Sequence, residues 1–525
     1  MSTNVEPRSL AELPALMARR LGDKLALRID DQEQTYQALA DRAAAVAAAL
    51  VRDGIRPGTR VALFGRDGLS SVALLFGAAI AKAVSVPINW RLAPDEVRHV
   101  LADSGAKLVF VEPELLPVIE GVLPHLPSRP ALVSLTAASG STPGFESWLG
   151  SASGPVDLGP YTDEEVVTQL YTSGTTGLAK GVLLPNRTFF AIARELAARN
   201  DPWITLDESD VTLLFVPTFH VAGFWWLVRG LAGGSTHIIV PTFDPHRILE
   251  LIPRYGVTKT GMVPVMMFVL LAEPACESTD FSSLKTILYG GSPMSSALLE
   301  RARDVFKCEF CQMYGLTETG NLAVTLRPEH HWTGPESRMA AAGTAMPGVQ
   351  IRIVNPDGKL AEPREPGEIV IRSPAQMVGY WNLPEATAAT LVDGWIKTGD
   401  CGYLDEDGFL YVCDRMKDMI ICGGEHVYPA EIERVLRTHP GVLDVAVIGV
   451  PDDYWGEIVM AVVHPRGPEQ VTSRDLTALA RQKLAEFKVP KRVELVAALP
   501  RNSTGKVLKH VLREPYWRDR ERKIN

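Results

Sequence analysis

The period of the hydrophobic positions changes along the chain, and each change predicts a different kind of structure. From residue 35 to about 111, stretches with helical periodicity alternate with short apolar runs. The predicted helices are Asp41–Arg52, Ser70–Lys82 and Pro94–Ser104, and the predicted strands are Val61–Phe64, Val84–Ile88 and Lys107–Val111. Strands that alternate with helices form a parallel sheet layered with helices, so this part is predicted to be α/β.

The later part of the chain predicts two further units. More buried strands are predicted at Val211–Val216, His237–Val240, Thr258–Val263 and Thr286–Leu288. Between Gly348 and Val412 the apolar positions recur every second residue, which predicts a small antiparallel β unit. The remaining chain mixes helical and extended patterns and is predicted to be α+β. We therefore predict a large N-terminal domain, 1–416, of two layered α/β subdomains plus the small β unit, followed by a small α+β domain, 417–525.

Composition narrows the functional classes. The chain has 525 residues, of which 46% are hydrophobic and 22% charged, as in an ordinary globular protein. A formal charge of −9 argues against nucleic acid as a partner. The longest apolar runs fall short of the roughly 18 residues that span a bilayer, so no integral membrane segment is predicted. Nothing in the pattern indicates an oligomeric state.

Cysteine usage favours a reducing, cytoplasmic location. Only 6 cysteines occur, and the N-terminus lacks a signal-peptide pattern. The spacing Cys308-x-x-Cys311 occurs in zinc and redox sites, but no second pair accompanies it. We interpret both as ordinary buried thiols.

The stretch Tyr171–Val182, Tyr-Thr-Ser-Gly-Thr-Thr-Gly-Leu-Ala-Lys-Gly-Val, has the chemistry of a phosphate-binding loop. Its glycines let backbone N–H groups converge on an anion, its hydroxyls add donors, and Lys180 adds positive charge. A Walker A loop is excluded because two residues separate Gly177 from Lys180. A surface turn stays open on composition alone. Because Asn186 can cap a helix through about Arg199, the loop is predicted to lie between a strand and a helix.

Seven segments occur in the order found in one superfamily. They are Tyr171–Val182, Pro217-Thr-Phe-His220, Gly290-Gly-Ser-Pro-Met294, Tyr314-Gly-Leu-Thr-Glu318, Lys397-Thr-Gly-Asp400, Asp414-Arg-Met-Lys417 and Pro500-Arg-Asn-Ser-Thr-Gly-Lys506. From about residue 35 onward the chain resembles the adenylate-forming enzymes, which include acyl-CoA synthetases, peptide-synthetase adenylation domains and beetle luciferases. The resemblance implies a mobile C-terminal domain and the use of ATP, Mg²⁺ and coenzyme A.

The resemblance also implies a role for individual residues in nucleotide binding. Those expected to bind the nucleotide are Thr172, Ser173, Gly174, Thr175, Thr176, Lys180, Gly291, Ser292, Pro293, Tyr314, Asp400 and Arg415. Thr317 is expected at the α-phosphate, and Glu318 is expected to hold Mg²⁺. Without the resemblance, Glu318 would be a helix-opening acid, Tyr314 core packing, and Asp400 part of a surface turn.

Other implied roles concern catalysis and the acid. Lys506 is expected to bridge the substrate carboxylate and the α-phosphate, and Lys417 to be the hinge between the domains. Gly423 and Gly424 are expected to line the channel for coenzyme A. His220 is expected beside the carboxylate, and the acyl pocket is expected at Val221, Phe224, Gly290 and Gly315. Core packing stays open for Phe224.

Two positions depart from the family pattern. Ala179 stands before the loop lysine, where many relatives carry proline, and His426 stands where asparagine is common. The first departure is expected to leave phosphate binding intact, since it removes no donor.

The substrate is expected to be a hydrophobic carboxylic acid. The segment Phe219–Val228 has no carboxylate that could pair with the buried ammonium of an amino acid. A medium- or long-chain fatty acid is favoured, and an aryl acid of the benzoate or cinnamate type stays open. A non-catalytic nucleotide-binding protein and a luciferase-like oxygenase are the more distant alternatives.

Overall fold

The computed structural model describes residues 7–518 apart from 151, 153, 155, 173–177, 200–203, 293, 295, 333–335, 416–417, 423–424, 453–455, 468–470 and 502–505. The chain divides into two compact units, described separately below. The first takes in 1–339, 343–351 and 371–397, and the second takes in 340–342, 352–370 and 398–525. The division runs through the predicted small β unit, which the sequence had placed wholly in the first domain. The predicted boundary after residue 416 stays a prediction.

The strands of the described residues are, in chain order, β1 Leu25–Ile29, β2 Gln32–Thr35, β3 Arg60–Phe64, β4 Val84–Ile88, β5 Leu108–Val111, β6 Ala131–Ser134, β7 Val166–Thr172, β8 Lys180–Pro185, β9 Val211–Leu214, β10 Thr236–Ile239, β11 Lys259–Met262, β12 Thr286–Gly290, β13 Glu309–Tyr314, β14 Val324–Leu326, β15 Thr344–Ala345, β16 Gln350–Val354, β17 Gly367–Arg372, β18 Gly379–Tyr380, β19 Leu391–Val392, β20 Trp395–Leu404, β21 Leu410–Arg415, β22 Ile420–Cys422, β23 Glu425–Val427, β24 Val442–Asp452, β25 Gly456–Pro465 and β26 Arg492–Leu495.

The α-helices are α1 Leu13–Leu21, α2 Tyr36–Arg52, α3 Leu69–Ile80, α4 Pro94–Ser104, α5 Leu116–Val122, α6 Phe145–Leu149, α7 Arg187–Arg199, α8 Val221–Gly233, α9 Pro245–Tyr255, α10 Pro264–Ala272, α11 Ser296–Phe306, α12 Glu329–Trp332, α13 Pro384–Thr390, α14 Pro429–Arg437, α15 Ser473–Lys483 and α16 Lys509–Trp517. No helix among the described residues is long and apolar enough to cross a membrane.

The first unit contains two sheets with parallel centres, which confirms the α/β prediction. One has nine strands in the order β15-β14-β13-β12-β11-β9-β10-β1-β2, and the other has seven in the order β18-β8-β7-β4-β3-β5-β6. In the nine-stranded sheet, parallel pairing runs through β13, β12, β11, β9 and β10. In the seven-stranded sheet, it runs through β7, β4, β3 and β5. Strands β4, β5 and β10 are buried at every position, because helices cover both faces of a parallel sheet.

The sequence was wrong about the element that follows the phosphate loop. It predicted a strand, the loop and then a helix, but β8 intervenes and pairs antiparallel with β7. The helix predicted to follow Asn186 and to run through about Arg199 is confirmed as α7, and the side chain of Asn186 also bonds to two other segments. Its Oδ1 accepts from the Leu10 N–H at 2.9 Å, and its Nδ2 donates to the Thr162 carbonyl at 2.9 Å.

Helix α2 begins earlier than predicted. Thr35 caps it by accepting the Ala38 N–H at 3.2 Å, so the helix starts at Tyr36 rather than at Asp41. The phenol of Tyr36 donates to the Ser235 carbonyl at 2.7 Å, a buried contact 199 residues away that no local pattern reveals.

The second unit is α+β, as predicted. Strands β22 to β26 form a sheet in which β24 and β25 pair antiparallel over ten registered positions. Helices α14 and α15 bury their apolar faces in the core of this sheet, which includes Ile432, Leu436 and Leu476. Strand β20 pairs antiparallel with β21, consistent with the predicted alternation.

Candidate active site

The predicted phosphate loop joins the two strands of an antiparallel hairpin. Thr172, the last residue of β7, pairs with Lys180, the first residue of β8. Ser173, Gly174, Thr175 and Thr176 lie outside the described residues. Because its two ends are paired neighbours, the loop enters and leaves at one point of the seven-stranded sheet.

A polar network supports the base of this loop. The Tyr171 phenol donates to Asp103 Oδ2 at 2.6 Å and accepts from Gln169 Nε2 at 2.8 Å. Arg60 Nε donates to Gln169 Oε1 at 3.1 Å, and its guanidinium lies 3.4 Å from the centre of the Trp381 indole. Burial, reinforced by Asp103, raises the pKa of Tyr171 well above its ordinary value. The phenol therefore stays protonated and acts as a donor.

His99 of α4 holds the other end of the loop. Its Nε2 lies 2.8 Å from the carbonyl oxygen of Ala179, which can only accept, so this nitrogen carries the proton. The contact uses the backbone of Ala179, so a proline at this position could accept in the same way. The expectation that phosphate binding survives the departure from proline stays a prediction.

Three side chains of the first unit meet beside the loop. The Tyr380 phenol donates to Glu318 Oε1 at 2.8 Å. The Lys180 ammonium lies 5.0 Å from the centre of the Tyr380 ring, within the range of a cation–π contact. The segments are also joined by backbone, since the Met377 N–H donates to the Glu318 carbonyl at 2.9 Å and Tyr380 pairs with Val182 of β8.

This arrangement fits a magnesium–polyphosphate ligand. Tyr380 occupies one oxygen of Glu318 and leaves the other available to a cation. Among the described residues, no three His, Cys, Asp or Glu side chains gather as a ligand set. A cation at Glu318 would therefore take its other ligands from phosphate and water, the coordination Mg²⁺ favours.

The two segments expected to bind adenine leave the same edge of the nine-stranded sheet. Gly290 and Met313 pair across the parallel strands β12 and β13, so the chain after both strands emerges side by side. Gly291 has φ +79°, a conformation that favours glycine, and Tyr314 ends β13 half-buried. Pro293 lies outside the described residues.

Both glycines assigned to the acyl pocket have a second reason to be glycine. A Cβ at Gly290 would lie 2.2 Å from the Met313 carbonyl oxygen, and one at Gly315 would lie 1.7 Å from that of Asn321. Close backbone approach alone therefore requires both residues. Thr317 lies half-buried in the turn after Gly315.

A half-buried carboxylate orders the turn that carries His220. Asp67, in the loop after β3, accepts the backbone N–H of Thr218 at 2.9 Å and also its hydroxyl. His220 is the N-cap residue of α8. Burial, assisted by nearby Arg91, lowers the pKa of His220 to about 4, so the imidazole is neutral at neutral pH. Its Nε2 is buried and has no hydrogen-bond partner among the described residues.

Helix α8 is buried along most of its length. Phe224 is fully buried and packs on Phe189 with ring centres 4.8 Å apart, and Val221 packs in a cluster with Leu170 and Val182. Trp226 is also buried, with ring carbons 3.9 and 4.0 Å from where a Cβ on Gly261 would lie. The structure thus places Phe224 in the core, and Trp226 fills the space beside a glycine.

The second unit carries the predicted ribose and hinge residues. Asp400 is 4% exposed, its N–H donates to Thr398 Oγ1 at 3.0 Å, and its backbone pairs with Arg415. The side chain of Arg415 lies outside the described residues, as do Lys417, Gly423 and Gly424.

Lys506 lies next to a backbone bridge of the second unit. Arg501 and Val507 form an antiparallel bridge, and the Leu508 N–H donates to the Pro500 carbonyl at 2.8 Å. Lys506 stands beside this bridge and is exposed. Its position is therefore held by the backbone.

Three contributors were missed by sequence reasoning. Tyr380, Asp67 and His99 reach the site from segments far from the motifs they contact, with no motif of their own. Among the cysteines, burial raises the pKa values of Cys308 and Cys311 to about 12, so both thiols stay protonated.

Comparison with known proteins covers nearly the whole chain. Residues 16–381 match the model of the AMP-binding enzyme family, and residues 431–506 match that of the AMP-binding enzyme C-terminal domain. The match begins before residue 35, where the sequence had placed the start of the resemblance.

Individual relatives differ in the acid and acceptor that their names give. The chain is 44% identical to a fatty acid–[acyl-carrier-protein] ligase, ScoC, of Streptomyces coeruleorubidus, over 94% of this chain and 93% of the relative. It is 36% identical to a feruloyl-CoA synthase of an Amycolatopsis species, over 97% and 99%. The solved structure of o-succinylbenzoate CoA synthetase from Bacillus subtilis, in complex with its acyl-adenylate intermediate, is 30% identical and superposes with a TM-score of 0.83 over 95% of this chain and 97% of that one.

Proposed function

This chain belongs to the AMP-binding enzymes, and from that membership we propose that it converts a hydrophobic carboxylic acid, with a medium- or long-chain fatty acid favoured, to its coenzyme A thioester. Enzymes of this family are AMP-forming ligases that use ATP, Mg²⁺ and coenzyme A. The expected adenylate-forming membership and mixed α/β fold are thus confirmed.

The chemistry proceeds in two displacements. In the first, a carboxylate oxygen attacks the α-phosphorus of ATP, the bond to the β-phosphate breaks, and pyrophosphate leaves. In the second, the thiol sulfur attacks the acyl carbon, AMP leaves, and the thiol proton passes to solvent. Both steps depend on positioning and charge stabilisation more than on an acid or base.

We assign roles to the residues of the first unit on this basis. The loop between Thr172 and Lys180 holds the β- and γ-phosphates that leave. Glu318 holds Mg²⁺, which neutralises phosphate charge when bound. Thr317 donates to the α-phosphate, and Tyr314 lies against the adenine.

The second unit contributes the ribose contact and the lysine. Asp400, with Arg415, accepts the ribose hydroxyls. Lys506, presented by a domain that turns about Lys417, stabilises the charge shared by the carboxylate and the α-phosphate. Turning of this domain then exposes the channel of Gly423 and Gly424 to the thiol.

The substrate class is supported by the surroundings of His220, whose imidazole is buried and whose charged neighbour Arg91 is a cation. Its imidazole is uncharged, its Nε2 has no described partner, and it begins a helix without an acidic residue. The nearby Asp67 is already bonded by the N–H and hydroxyl of Thr218. An amino-acid ammonium would be repelled by the positive charge of Arg91, whereas a carboxylate with an apolar tail can accept a hydrogen bond and bury its carbon atoms.

Pyrophosphate release with a panel of acids tests this proposal. Straight-chain fatty acids of graded length are compared with benzoate, cinnamate and ferulate, each with ATP, Mg²⁺ and coenzyme A. We expect the fatty acids to give the highest kcat/KM and acyl-CoA as the product. A preference for the aryl acids would contradict the fatty-acid proposal and indicate an aryl-acid ligase. The 36% identity to a feruloyl-CoA synthase favours this second candidate.

The acceptor is tested in the same assay. The 44% identity to a ligase named for an acyl carrier protein favours such a protein as a second candidate. We expect coenzyme A to support turnover without a carrier protein. If the thioester forms on holo carrier protein but not on coenzyme A, the carrier protein is the acceptor instead.

A further inference from the structure

We propose that Tyr380 is a positioning residue that orients the Glu318 carboxylate for Mg²⁺ and holds the Lys180 ammonium beside the phosphates. The inference rests on the proposed roles of Glu318 and Lys180. It adds a residue that stands outside the seven sequence segments and lies 62 positions beyond Glu318.

The hydroxyl of Tyr380 acts on the carboxylate. It donates to Glu318 Oε1 at 2.8 Å. A tyrosine phenol is ordinarily protonated at neutral pH, so it acts as the donor to this carboxylate. A carboxylate with one oxygen occupied in this way cannot rotate freely, and its second oxygen points in a defined direction.

The ring of Tyr380 acts on the lysine. The Lys180 ammonium lies 5.0 Å from the ring centre, while Lys180 and Glu318 form no ion pair with each other although the structure describes both. A neutral aromatic group thus contacts a cation and an anion at the same time. Both charges stay available to a ligand instead of neutralising one another.

The backbone around Tyr380 is built to keep the ring in place. The Tyr380 N–H donates to Thr387 Oγ1 at 2.9 Å, and the backbone of Tyr380 pairs with Val182 of β8. Tyr380 is 9% exposed and packs in a cluster with Leu170 and Met377. Removing the hydroxyl leaves all of these contacts, so Tyr380→Phe is expected to fold.

The test measures Mg²⁺ dependence without relying on turnover. Calorimetric titration of ATP into the full chain at graded Mg²⁺ gives the Mg²⁺ concentration for half-maximal ATP affinity. We expect Tyr380→Phe to raise this concentration by about 10-fold, the usual size of a loss beside a metal ligand. Tyr161→Phe is the matched control, because its half-buried phenol donates at 3.0 Å to the Ile80 carbonyl, outside the proposed site.

A double variant separates this role from a general structural one. If Tyr380 acts through Glu318, then Tyr380→Phe adds nothing to the Mg²⁺ requirement of Glu318→Gln. Equal Mg²⁺ requirements in wild type and Tyr380→Phe, or additive effects in the double variant, overturn the inference. If Glu318→Gln itself leaves the requirement unchanged, the assignment of Glu318 fails and the inference falls with it. Acid activation by wild type, measured as pyrophosphate release, tests the proposed function independently.

Discussion

At the scale of single residues, the candidate site keeps its charged groups beside neutral partners. Glu318 is bonded by a phenol, Lys180 lies over an aromatic ring, and His220 is uncharged because it is buried. Charges held in this way are positioned without being neutralised. They can then bind a polyphosphate whose own charge is high.

Lys506→Ala is expected to divide the two half-reactions. Adenylation should fall by about 100- to 1000-fold, because one preorganised charge is lost where negative charge accumulates. Thioester formation from pre-made acyl-adenylate should change little. Pyrophosphate exchange measures the first, and thiol capture of added acyl-adenylate measures the second. Lys359→Ala, which removes a lysine that is 81% exposed, is the control, and equal losses in both half-reactions would refute this role for Lys506.

We assign Trp226, which lies in the segment Phe219–Val228, to the wall of the acyl pocket, so Trp226→Leu is expected to change the size of the acid accepted. The indole lies beside Gly261, so a smaller side chain opens space next to the glycine. We expect kcat/KM to shift by about 10-fold towards longer or bulkier acids. Comparison of graded fatty acids measures this shift, with Trp225→Leu as the neighbouring control. An unchanged ranking would show that Trp226 does not limit the pocket.

At the scale of elements, the hairpin of β7 and β8 shows the limit of prediction from local sequence patterns. Strand β8 was difficult to predict, because the apolar run after Lys180 is short and ends at Pro185. The pairing of β8 with β7 and with β18 is part of the tertiary structure and is not encoded in the local sequence pattern. The parallel strands β3, β4 and β5 were predictable because each is a separate apolar run. The motif residues were recognisable by order and spacing, whereas Tyr380 joined the site only through sheet pairing.

Helix α16 depends on a buried ion pair. Arg513 Nη1 lies 2.9 Å from Asp418 Oδ1, with side chains 10% and 11% exposed, and Nη2 donates to the Asp418 carbonyl at 3.1 Å. Asp418 follows the proposed hinge Lys417, and α16 follows Lys506. The pair therefore ties the segment after the hinge to the helix after the lysine.

Arg513→Leu is expected to destabilise the second unit by about 3 to 5 kcal/mol, because it leaves the Asp418 carboxylate buried without its cation. Arg518→Leu is the matched control on an exposed pair with Glu514, and we expect a change below about 1 kcal/mol. Urea unfolding measures both. Similar losses in the two variants would mean that burial does not govern the strength of this pair.

At the scale of the whole molecule, buried histidines make stability depend on pH. Burial lowers the pKa values of His220 and His331 to about 4 and that of His237 to about 3, from 6.5. As the pH falls from 6.5 towards 4, the unfolded chain binds protons that the native protein does not. Native stability therefore falls with decreasing pH in this window, by up to about 3 kcal/mol for each histidine.

His331→Gln is expected to flatten this dependence. The urea midpoint of the variant should fall less steeply than that of wild type as the pH decreases from 6.5 to about 4. The solvent-exposed His246→Gln serves as the control. Parallel pH profiles for wild type and His331→Gln would contradict the contribution of this buried imidazole.

In the proposed reaction, a carboxylate oxygen of the acid attacks the α-phosphorus of ATP. The most direct measurement uses a fatty acid whose carboxylate carries a heavy isotope of oxygen, with ATP, Mg²⁺ and coenzyme A, followed by mass spectrometry of the products. The AMP released is expected to carry one labelled oxygen from the acid, and the pyrophosphate is expected to carry none. Labelled oxygen in pyrophosphate would contradict attack at the α-phosphorus. ADP as a product, or AMP without labelled oxygen, would contradict it as well.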